Sequence, residues 1–160
     1  MHKQLLIESY RQQNQLVQWH VADFSDADML VRPVEHANHA AWHIGHLAAT
    51  YPNVLNLIAP NTIAPLPQEF CDRHTKKGST LNDGFESKDQ LLTRLGQMTE
   101  AAIDWVEKLT DADLTKPAPP QLKGWVSTLG QLAYALPPHT NMHIGQIQVI
   151  RRKLGKPVLF

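Results

Sequence analysis

Apolar residues recur with a helical period in four long stretches of the chain. Over residues 3–24, Leu6, Tyr10, Gln13, Val17, His20 and Phe24 share one stripe at about 100° per residue, with Leu16 and Val21 beside it. Ser25-Asp26-Ala27-Asp28 and Arg32-Pro33 break that pattern, and predict a short connection with one helical turn. A second helix is predicted over residues 38–58, where Ile44, Leu47, Ala48, Tyr51, Leu55 and Ile58 keep the period until Pro60, with Pro52 bending its interior. Ser87-Lys88-Asp89-Gln90 reads as a capping box, and Leu91, Leu95, Met98, Ala102, Trp105 and Leu109 continue from it as a third helix. The fourth starts at Ser127 or Thr128 and runs to Leu154. Gly155 and Pro157 supply its stop signal, and Arg151, Arg152 and Lys153 sit well against the negative end of its dipole. Pro137-Pro138 predicts a kink or break inside it.

Between these stretches, residues 60–86 hold Pro60, Pro65, Pro67, Gly78 and Gly84 with no sustained period, and read as a crossover loop without an element of its own. Residues 110–126, with Pro117, Pro119, Pro120 and Gly124, form a second connection. No repeat, low-complexity tract or sustained alternation interrupts the pattern. The expected fold is all-α, a four-helix bundle with long crossover connections, in one domain over residues 1–160.

Composition narrows the partners. Hydrophobic residues are 42% of the chain and charged residues 19%, which suits a folded domain and excludes a disordered one. The 15 Lys and Arg are matched by 15 Asp and Glu, leaving no cationic excess for phosphates, so neither nucleic acid nor an anionic membrane is expected as a partner. The longest apolar runs, Leu5-Leu6-Ile7 and residues 54–60, fall far short of a membrane span, and no export signal is visible. A single cysteine, Cys71, cannot close an intrachain disulfide, in keeping with a reducing compartment; the expected location is cytoplasmic.

Nine histidines are many for 160 residues, and their spacing carries the chemistry. His139 and His143 stand i, i+4 on the fourth helix, within about 40° of the stripe of Leu132, Leu136, Ile147, Ile150 and Leu154. Two inward imidazoles need partners, either hydrogen bonds within the core or a divalent metal, since i, i+4 nitrogens converge on one ion. A third ligand would come from His39, His43 or His46 on the second helix. On a helical wheel drawn from Ile44, His43 lies about 100° away and His46 about 160°, which slightly favours His43. His20 reads as a satisfied core histidine, and His2 and His74 as water-facing. Cys71 has no strong case as a nucleophile, and Trp42, Trp105 and Met98 read as core.

The segment Ala40-Ala41-Trp42-His43-Ile44-Gly45-His46-Leu47, followed by His139-Thr140-Asn141-Met142-His143-Ile144-Gly145-Gln146-Ile147 and Arg151-Arg152-Lys153-Leu154-Gly155-Lys156-Pro157, resembles the DinB/YfiT-like family of metal-binding four-helix bundles. The likeness spans nearly the whole chain. It implies His46, His139 and His143 as ligands of one divalent ion per chain, zinc or nickel, in place of the wheel's preference for His43. Three imidazoles leave a coordination position open, the arrangement of a catalytic zinc site. Family members look like thiol-dependent S-transferases and isomerases, which implies a small-molecule substrate or a low-molecular-weight thiol. The alternative is a non-catalytic, metal-stabilised bundle of stress-response type, as a homodimer. No catalytic base stands out, and Glu35 and Gln146 qualify only as neighbours of the ligands in sequence.

Overall fold

The computed structural model describes residues 2–159, and the elements it forms are helices. The helices are α1 (His2–Val21), α2 (Asp26–Met29), α3 (Ala40–Leu55), α4 (Gln68–Arg73), α5 (Lys88–Lys108), α6 (Asp111–Leu114) and α7 (Leu129–Lys153). The four long ones, α1, α3, α5 and α7, form a ring of neighbours in which α1 and α3 each pack against both α5 and α7. The predicted four-helix bundle is therefore observed. Among the described residues the β structure is one isolated bridge, Pro117 to Thr128, and no helix is long and apolar enough to cross a membrane.

Local chemistry sets the helix ends. Ser25, Ser87 and Thr110 each close a capping box, with Asp28, Gln90 and Asp113 returning the bond. α1 stops at Val21, short of the expected Phe24, and the single turn α2 follows as predicted. α3 begins two residues later than expected, because His39 is its N-cap and accepts the Trp42 N–H at Nδ1 (3.1 Å). α7 ends in a Schellman motif: Gly155 at φ 67° lets its N–H reach the Arg152 carbonyl and the Lys156 N–H reach that of Arg151.

Two expectations need correction. Residues 60–86 are not free of elements, since α4 and a 3₁₀ turn over Lys76–Gly78 lie within them. A six-residue helix is too short to show a period. Of the kink or break expected at Pro137-Pro138, the break does not occur: α7 is helical from Leu129 to Lys153. Pro137 has no N–H for the carbonyl four residues before it, that of Ala133, and the buried Tyr10 hydroxyl of α1 donates to that carbonyl instead (2.8 Å).

The predicted α5 stripe is buried along its whole length, and Trp42, Trp105 and Met98 lie in the core as expected. α3 is more extreme, with twelve of its sixteen residues buried, so it is closed in on nearly every side. His43 is thereby a core group, and His46 is half-buried at its edge.

Candidate metal centre

Three elements converge on the cluster. α3 carries His43 and His46 one turn apart, α7 carries His139 and His143, and His74 follows the last residue of α4. His46, His139 and His143 each offer one ring nitrogen to a common space, with these atoms all within 4.8 Å of one another. His143 is buried and the other two half-buried. The two α7 rings meet through Nε2 at 3.1 Å and stand perpendicular, their centroids 4.7 Å apart. Bonds of about 2.0–2.1 Å to one tetrahedral ion place ligand nitrogens about 3.3–3.4 Å apart, so the pair needs little movement to share an ion.

The hydrogen bonds of the outer ring nitrogens define which nitrogen faces inward. His46 Nδ1 lies 2.9 Å from the His74 carbonyl, and a carbonyl only accepts, so Nδ1 carries the proton and Nε2 is left with its lone pair. The same ring lies flat against Trp42, with centroids 4.7 Å apart and planes 6° from parallel. Trp42 is itself held by donation from Nε1–H to the Thr75 carbonyl (3.2 Å). Trp125, about half exposed, meets the His139 ring edge-on at 6.4 Å.

Burial keeps these imidazoles neutral. Desolvation, with smaller contributions from the neighbouring rings, pushes His143 down to about 2. His139 falls to about 4, first from burial and then from His46. Burial also lowers His46, opposed by the His74 carbonyl. A neutral imidazole is the form that binds a metal, so protons do not compete for the site near neutral pH. Three neutral nitrogen donors converging on one point fit a borderline-soft divalent ion.

Several expectations change here. His74 does not face water: it is fully buried, donates from Nδ1 to the Phe70 carbonyl (2.8 Å) and packs between Phe70 and Phe85. Its place depends on Gly45, because a Cβ there would lie 2.1 Å from the His74 ring. The glycine of the Gly45-His46 step thus admits the ring whose carbonyl orients His46. His43 is not off the core either; it is 1% exposed, with Nδ1 2.8 Å from Nδ1 of His143, on the side of that ring away from Nε2.

His20 is the satisfied core histidine expected, donating from Nδ1 to Leu16 and accepting from Gln148. The expectation for the His2 side chain lies outside the described residues. Glu35 is exposed, with Oε1 3.6 Å from His36 Nε2, and Gln146 is exposed on α7; no described polar contact joins either to the cluster. Cys71 is buried, and burial followed by Asp72 raises its thiol pKa, which suits a packing role.

Fold and site together define a helical bundle with a three-imidazole cluster, able to hold a metal ion, between two of its long helices. The sequence profile of the DinB superfamily matches residues 9–147, and the chain belongs to that superfamily. A conserved protein of Enterococcus faecalis known from a crystal structure shares the fold: it aligns over 96% of this chain and 97% of its own with a TM-score of 0.74, at 19% identity. No curated protein matches the sequence.

Proposed function

We propose that the protein binds one divalent ion, zinc or nickel, through His46, His139 and His143, and that it is a metal-dependent enzyme acting on a small molecule. Thiol transfer or related chemistry is the reaction class we favour. The observation that carries the metal reading is the convergence of three neutral imidazole nitrogens, with His46 already in the tautomer that presents Nε2. An ion held by three side chains keeps a position for substrate, where it acidifies a bound water or thiol and polarises a carbonyl. The chain's own part is to orient the rings. The His74 carbonyl and Trp42 fix His46, and the apolar surroundings keep the ligands unprotonated.

Metal analysis of protein purified without a His-tag or metal column should find about one ion per chain, as a single three-ligand site requires. His46→Ala and His143→Ala should abolish that stoichiometry, whereas His39→Ala should leave it nearly intact. With cobalt in the site, a small thiol or azide should change the visible spectrum without unfolding the chain. Spectra indifferent to every thiol and anion, together with a His143→Ala protein that unfolds at room temperature, would return the ion to a purely structural role.

A further inference from the structure

His43 is the most buried of the α3 histidines that face the cluster, and it touches the proposed ion only through another residue. Its Nδ1 lies 2.8 Å from Nδ1 of His143, while its own Nε2 is buried with no hydrogen-bond partner. A buried imidazole nitrogen left without a partner is costly, and replacing the ring by a hydrocarbon would remove that cost. The ring therefore does something at Nδ1 that a hydrocarbon could not.

Two neutral imidazoles 2.8 Å apart share one proton between their Nδ1 atoms, and the direction of that bond decides what His143 presents. If His43 donates, His143 carries its proton on Nε2 and points it at His139 Nε2, 3.1 Å away. The three rings are then a hydrogen-bonded chain with no lone pair for an ion on His143. If His143 donates, its Nε2 lone pair faces His46 and His139. Reversal shifts one proton within each of two rings: His143 exchanges Nε2–H for Nδ1–H, and His43 exchanges Nδ1–H for Nε2–H. No proton is gained or lost, and the nitrogen separation need not change.

We propose that His43 is a positioning residue for the metal site, which accepts the Nδ1–H of His143 and so selects the tautomer of His143 that binds the ion. This rests on the ligand set proposed above. It gives His143 the counterpart of what the His74 carbonyl gives His46, with one difference. A carbonyl accepts in every state of the site, whereas His43 can also donate, so in the unliganded cluster both ring nitrogens of His143 can be hydrogen-bonded.

The primary test uses the unaltered protein. Long-range ¹H–¹⁵N spectra of the zinc-loaded full chain should show the His143 proton on Nδ1, with Nε2 shifted by the metal, and His43 protonated on Nε2. Zinc affinity by chelator competition should then weaken about 10- to 100-fold in His43→Phe, as for loss of an outer partner of a ligating histidine, with stoichiometry kept at saturating zinc. His43→Asn, whose side-chain oxygen can stand near the place of Nδ1, should recover most of that loss. Three results overturn the proposal: a zinc-loaded His143 protonated on Nε2, wild-type affinity in a folded His43→Phe, or loss of stoichiometric zinc in His43→Asn, which would make His43 a ligand. If His43→Phe does not fold, the wild-type tautomer and His43→Asn decide. Failure of the wild-type chain to bind zinc at all would sink the ligand set itself and this inference with it.

Discussion

A Cβ built on Gly45 falls 2.1 Å from both Cδ2 and Nε2 of His74, inside any tolerable contact. In a helix interior Gly→Ala ordinarily stabilises by about 1 kcal/mol through backbone entropy. Here overpacking, typically about 1–3 kcal/mol, opposes it, and the ring that must yield is fully buried between two phenylalanines. Gly45→Ala is therefore expected to lower the thermal midpoint. It should also weaken zinc binding, because moving His74 takes its carbonyl away from His46 Nδ1. Thermal denaturation and chelator competition on the same preparation check both effects. A variant as stable as the wild type would show that the His74 ring is not what requires glycine.

At the scale of elements, α1 repairs α7. The Ala133 carbonyl would normally receive the N–H of residue 137, which is proline, and the Tyr10 hydroxyl takes its place. Tyr10→Phe leaves that carbonyl buried and unpaired and should cost about 1–3 kcal/mol in urea denaturation. Adding Pro137→Ala restores a local donor, so the double variant should lose less than Tyr10→Phe alone; strict additivity would argue against the repair. The same element shows how far the sequence could be read. Its ends, its Gly155 stop and the inward His139/His143 pair were legible because they are local signals, but the unbroken helix needed a hydroxyl from another helix. α5 was legible throughout, having one buried face and a capping box. On α3 the wheel could not rank His43 against His46, because a helix buried on nearly all sides has no single stripe to measure from. His74 was missed for a related reason: α4 is too short to show a period, and the one sequence signal for its burial was the glycine it lands on, 29 residues away.

Across the molecule, the buried histidines couple folding to pH. His39, His43, His74 and His139 are each pushed down to about 4, and His143 to about 2, in every case chiefly by burial. In the unfolded chain the same rings titrate near 6.5. Between those values the unfolded state binds protons that the folded state refuses, so unfolding free energy falls as pH falls. The stability these groups contribute is thus fully present above about pH 6.5 and is lost progressively toward pH 4. The lowered carboxylates Asp23, Asp28, Asp72 and Asp113 lose their own contributions as pH falls from about 5, where the unfolded chain begins to protonate them, so the upper part of the window belongs to the histidines. Metal-free protein should show a steep decline in thermal midpoint from pH 6.5 to 4. Bound zinc should move the decline to lower pH, because ligated rings cannot take up protons until the ion leaves. His39→Asn isolates one contributor away from the proposed ligands: asparagine still caps α3 by accepting the Trp42 N–H, but nothing at the position titrates. Its pH dependence between 6.5 and 4 should be shallower than that of the wild type by about one proton's worth of slope. A midpoint that stays flat from pH 7.5 to 5 in the metal-free wild type would mean that the cluster opens to water before it is protonated, and that burial does not keep these rings neutral.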